Sequence, residues 1–141
     1  MGDAFMTDER LKEIKRIFNT YQRNVSQLRQ LTLPTLQGVA YDKVAVKTDK
    51  SKNSVEQLMI TYLIDKEKLE KEIALVDRVY EHFADDRDEE LARLIDLRFR
   101  KGEKHWQASN DVFISDRQGL HWLRRAYEKA DEIALQMHLF V

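Results

Sequence analysis

The sequence predicts an all-α fold, and three observations carry that prediction. One proline and four glycines in 141 residues leave few places where a helix must break. Glu, Lys, Arg, Leu and Ala, the common residues here, are all good helix formers. Apolar residues also recur at three- and four-residue steps, the spacing of one helix face. A chain of this length holds one sizeable core. The expected architecture is an N-terminal helix and a long helix packed as a hairpin, with a C-terminal pair of short helices and a final long one.

The first helix is expected from about Thr7 to Leu31, with Leu11, Ile14, Ile17, Phe18, Tyr21, Val25 and Leu28 as its apolar stripe. Residues 32–53 form a polar link interrupted by Pro34 and Gly38, with Val39-Ala40-Tyr41 available for an extended contact. Ser54 with Gln57 has the pattern of a capping box and opens a long helix to about Ala84. Val55, Tyr62, Leu69, Val76 and Phe83 repeat every seven residues, with Leu58, Met59, Ile73, Val79 and Tyr80 beside them. Such a repeat suits packing along a partner helix, in the same chain or in a second copy. Asp65 and Glu72 interrupt its companion position, which favours a hairpin over a long parallel coiled coil.

After a break at Asp85–Asp88, Asp88 is placed to cap a helix from Glu89 to about Arg100, with Leu91, Leu94, Ile95 and Phe99 buried. Gly102 ends it in a left-handed conformation. A short helix follows from His105 to Val112, then a turn at Phe113-Ile114. The last helix runs from Asp116 to about His138, its start set by Ser115 and Gln118. Leu120, Leu123, Tyr127, Ala130, Ala134 and Met137 make its inward stripe, while Arg117, His121, Arg124, Arg125 and Glu128 face elsewhere. Trp106 and Trp122 are expected in the core.

Charge is unevenly distributed beneath a net value of -1. Residues 64–96 hold twelve acids against six bases, and residues 97–129 hold eight bases against four acids. A basic third suits a polyanion, although a solvated face reads the same by charge alone. The absence of cysteine excludes disulfides, thiolate metal sites and cysteine nucleophiles. MGDAFMTDERLKEIKR has no apolar leader core, and no segment is apolar enough for a membrane, so a cytoplasmic protein without membrane contact is expected.

The segment LIDLRFRKGEKHWQASNDVFISDRQGLHWLRRAYEKA resembles the helix-turn-helix of the fourth region of bacterial sigma factors. Ala108 and Ser109 fall at its packed small positions, and Val112, Ile114 and Ser115 fill the turn. Phe113 stands where a small residue is usual. Over nearly the whole chain, an N-terminal helix, a polar link, a long charged helix and this segment are similar to phage late-transcription regulators of the RinA and ArpU type. The resemblance implies a sequence-specific DNA-binding activator of phage or prophage late genes, acting on DNA in the host bacterial cell. It also leaves host RNA polymerase open as a second partner.

By that resemblance residues 1–86 are a scaffold and oligomerisation region, and residues 87–141 a helix-turn-helix region. DNA contact is carried onto Arg117, Gln118, His121, Arg124 and Arg125, with Asp116 beside them in the first turn of the reading helix. Arginine reads guanine bidentately and glutamine reads adenine. Arg100, Lys101 and Lys104 are placed to neutralise phosphates. His105 and His121 are expected as polar or phosphate-contacting residues. A homo-oligomer is expected, since readers of this size commonly span two half-sites.

Two rivals remain. Glu67 with Glu70 and Glu128 with Asp131 have the form by which all-α nucleotide pyrophosphohydrolases of the MazG type hold magnesium, but they lie too far apart for that compact helix pair. His82 with Asp85 or Asp86 offers two metal ligands without a third. No catalytic residues, metal or cofactor are therefore expected. The second rival is a helical phage assembly or packaging component, similar to a small terminase subunit.

Overall fold

The computed structural model of the chain describes residues 6–31 and 48–139, and the fold is all-α. Helix α1 (Asp8–Asn19) starts where the Thr7 hydroxyl accepts the Arg10 N–H at 3.1 Å, with Asp8 and Glu9 complementing the positive helix end. Ile14, Ile17 and Phe18 form its buried face. Helix α2 (Tyr21–Gln30) follows after a single bent residue, so the one helix expected here is two. The cause is local. The Thr20 hydroxyl donates to the Arg16 carbonyl at 2.8 Å, and such back-bonding tilts a carbonyl out of its helix.

The bend turns α2 onto helix α3 (Thr48–Asp85), which is 38 residues long, about 57 Å at the rise of an α-helix. The Tyr21 hydroxyl donates to Asp77 at 2.9 Å, and the Asn24 amide donates to Glu72 at 3.1 Å. Arg16 of α1 adds an ion pair to Glu72 at 2.9 Å. Glu72, which interrupts the seven-residue repeat, is thus buried with its acceptors satisfied by two other helices. Burial and the Asp77 carboxylate raise the Tyr21 pKa, and Arg16 lowers that of Glu13 by donating to it.

The link expected over 32–53 lies outside the described residues for 32–47, including Pro34, Gly38 and Val39-Ala40-Tyr41. Residues 48–53 are already helical, so Ser54 lies inside α3 and does not start it. The repeat divides along the helix. Val76 and Phe83 are buried with Leu75 and Val79, whereas Leu58, Ile60, Leu63 and Ile64 are exposed on the half that runs past the core.

Arg87 adopts a left-handed φ of 62° after α3, and the Asp88 N–H reaches back to the Phe83 carbonyl at 2.9 Å. The Asp88 side chain, expected from sequence to cap the next helix, makes no capping bond. It accepts from Arg125 at 2.6 Å, a charge-assisted bond. Helix α4 (Glu89–Ile95) continues as a widened turn over Asp96–Arg100, closed by the Lys101 N–H on the Asp96 carbonyl at 2.8 Å. Gly102 ends it at φ 77°, as expected, and a Cβ there would strike the Gln22 amide.

Helix α5 (His105–Asp111) and helix α6 (Asp116–Gln136) complete the fold. Phe18, Phe99 and Tyr127 meet edge-on, with centroids 5.1 Å and 5.4 Å from Phe18. Arg10 of α1 clasps Asp131 of α6 through two bonds of 2.8 and 2.7 Å. Residues on both sides of position 86 therefore build one core.

Candidate nucleic-acid interface

The α5–turn–α6 segment is closely packed on its inner side. Ala108 and Ser109 of α5 are fully buried. A Cβ on Gly119 of α6 would lie 2.6 Å from the Ser109 hydroxyl and 2.9 Å from His105 Cε1, so only glycine lets the two helices approach this far. His105 Nε2 donates to the Asp116 carbonyl at 2.8 Å, tying the start of α5 to the start of α6. Its Nδ1 is buried without a hydrogen-bond partner among the described residues.

The turn between the helices is closed by backbone bonds. The Phe113 N–H meets the Asn110 carbonyl at 3.1 Å and the Ile114 N–H meets that of Ser109 at 3.0 Å. Phe113 itself sits at φ 62°, a conformation that disfavours a side chain by about 1 kcal/mol, and its ring is 91% exposed. Val112 is buried and Ile114 packs against the core. The Ser115 hydroxyl then accepts the Gln118 N–H at 3.1 Å, the cap expected from sequence.

The outer side of α6 is a different surface. Arg117, Gln118, Leu120, His121 and Arg124 are exposed along its first half. The side chains of Arg117, Gln118 and His121 make no hydrogen bond or ion pair among the described residues, and Asp116 lends only its carbonyl to His105. Arg124 pairs loosely with Glu128 at 3.5 Å, both well exposed. Lys101 and Lys104 stand exposed on the link before α5, Lys101 3.5 Å from Asp96.

Two of the expected contact residues are placed apart from this face. Arg125 is held by Asp88 and lies over the Phe83 ring at 5.9 Å. Arg100 lies 3.6 Å from Asp77 and 3.5 Å from Asp96, stacked on Tyr80 at 4.4 Å. Their charge is already matched within the protein.

Two expectations about apolar residues are corrected. Leu120, expected inward, is 57% exposed, because Gly119 and Ala126 rather than Leu120 form the contact side of α6 with Leu123, Tyr127 and Ala130. Small residues let the helix sit closer and turn its buried face towards them. Trp106, expected in the core, is also 57% exposed, while Trp122 is half-buried against the core. Gly119 was legible as a glycine inside a helix, and its close approach is the reason for it.

The carboxylates of the rival magnesium pairs face cations. Glu67 pairs with Lys71 at 2.9 Å, Glu70 with Lys66 at 3.9 Å, Glu128 with Arg124, and Asp131 with Arg10. Among the described residues no three of His, Asp and Glu gather into a metal site, and no helix is long and apolar enough to cross a membrane. Comparison with family models, curated proteins and solved structures finds no match to this chain.

Proposed function

We propose that this protein binds duplex DNA sequence-specifically through α5, the turn and α6, and acts as a transcription regulator. One observation carries the reading. The first half of α6 presents Arg117, Gln118, His121 and Arg124 outward on a helix whose other side is locked to α5 through Gly119, Ser109 and His105. A rigid helix with free donors on its outer face suits base edges in a major groove. Lys101 and Lys104 would neutralise phosphates beside it. The likeness of the segment to a sigma-factor helix-turn-helix agrees, and the whole-chain likeness to RinA and ArpU regulators extends the proposal to activation of phage or prophage late genes.

The test is fluorescence anisotropy on short labelled duplexes over a range of salt. With about four phosphates neutralised, log K against log salt falls with a slope near about -4. No binding at low salt, or a flat salt response, removes the proposal. The assembly or packaging reading draws on the exposed Leu58, Ile60, Leu63 and Ile64 of α3, which suit self-association. A large ring with equal affinity for every duplex would favour it. A homo-oligomer spanning two half-sites would instead join both surfaces in one regulator.

A further inference from the structure

The exposed large apolar residues fall mainly into two groups, one on the N-terminal half of α3 and one on α5, the turn and α6. Within the second group, Leu120 has a distinctive setting. Arg117 precedes it by three residues, His121 follows by one and Arg124 by four, so all lie along one outward side of the helix. The inward side is filled by Gly119, Leu123, Ala126 and Tyr127. Leu120 therefore has no place in its own core, and the exposed residues that flank it along that side, Arg117, His121 and Arg124, are polar or cationic.

From this we infer that Leu120 is a specificity-determining residue that packs on the 5-methyl group of a thymine, with the flanking Arg117 and His121 on neighbouring base edges or phosphates. The inference rests on the DNA-reading role of α6. Cationic flanks select a polyanion, and its phosphates offer a leucine nothing to bury against. The base edges of the major groove carry one projecting apolar group, the thymine methyl, beside an O4 acceptor that leucine cannot use. A leucine among arginines on this face thus separates thymine from cytosine by contact with the methyl, while its bulk opposes hydrated polar edges.

The experiment begins with selection of duplexes from a randomised pool by the full-length protein. Each thymine of the selected duplex is then replaced singly by deoxyuridine, which removes the methyl and keeps every hydrogen-bonding group. One replacement should weaken wild-type binding about fourfold, the worth of one buried methyl-sized group. Leu120→Ala should bind the parent duplex about fourfold more weakly and be indifferent to the same replacement, so that the two losses do not add. Leu120→Met, which keeps an apolar tip, should retain the methyl dependence. Thermal unfolding of the variants should match wild type, since Leu120 is exposed.

If no deoxyuridine replacement affects wild type, or Leu120→Ala keeps the full methyl dependence, the assignment of Leu120 is overturned while DNA reading stands. If the pool yields no preferred sequence, α6 does not read bases, and both the parent reading and this one fail.

Discussion

Gly119 is the residue on which the geometry of the α5–α6 pair depends. Alanine would ordinarily strengthen a helix by about 1 kcal/mol over glycine. Here its methyl would fall 2.6 Å from the buried Ser109 hydroxyl, so overpacking should win. Gly119→Ala is expected to lose about 1–2 kcal/mol in urea unfolding, and Ser109→Ala in the same chain should restore part of it by removing the hydroxyl. A second residue-scale effect concerns Glu103 and Asp111. Glu103 Oε1 is buried without a hydrogen-bond partner among the described residues, and the Asp111 carboxyl beside it favours a proton there, which raises the Glu103 pKa. The folded state therefore holds that proton more tightly than the unfolded chain. Its stabilising contribution is full below the ordinary carboxyl range and is lost as pH rises through the raised value. Wild type should lose stability relative to Glu103→Gln as pH rises above the ordinary carboxyl range, measured by thermal unfolding; parallel curves would show that Asp111 does not favour a proton on Glu103.

At the scale of elements, the helices divide into those that hold and those proposed to read. Arg117→Ala should weaken binding to a selected duplex by roughly 1–3 kcal/mol and change random-duplex binding little, because it removes a base contact. Lys104→Ala should weaken all duplexes alike and reduce the salt slope by about one unit. Arg125→Ala, by contrast, breaks the 2.6 Å bond to Asp88 and should register as lost stability before lost DNA contact. Equal losses on selected and random duplexes for Arg117→Ala would deny α6 the reading role. The elements also show how far local sequence reaches. Ser115 capping, the Gly102 stop and the buried face of α4 were legible because each depends on residues within about one turn. The division of the first helix at Thr20 was not, since threonine is common within helices and only its bond to Arg16 marks the bend.

At the scale of the whole molecule, α3 extends well beyond what the core covers. Its C-terminal half is buried among α1, α2, α4 and α6, while Leu58, Ile60, Leu63 and Ile64 remain in water. A second copy joined along this face is the proposed oligomer. Multi-angle light scattering should find wild type larger than one chain at micromolar concentration, and the Ile60→Glu, Ile64→Glu double variant as a folded monomer. A wild-type monomer, with and without DNA, would refute the oligomer.

The all-α class, the order of the helices after Ser54 and the turn chemistry of the C-terminal third could be read from local sequence alone. These follow from periodicity and capping, in which the interacting groups are neighbours along the chain. Which acid each arginine meets depends on how the helices pack, as with Arg10 on Asp131, Arg16 on Glu72 and Arg125 on Asp88. Packing also sets which side of α6 faces water. A stripe of Leu120, Leu123 and Tyr127 is a valid helix face by spacing alone. The close approach at Gly119 rotates the buried side away from Leu120, because a helix packs most tightly where its side chains are smallest.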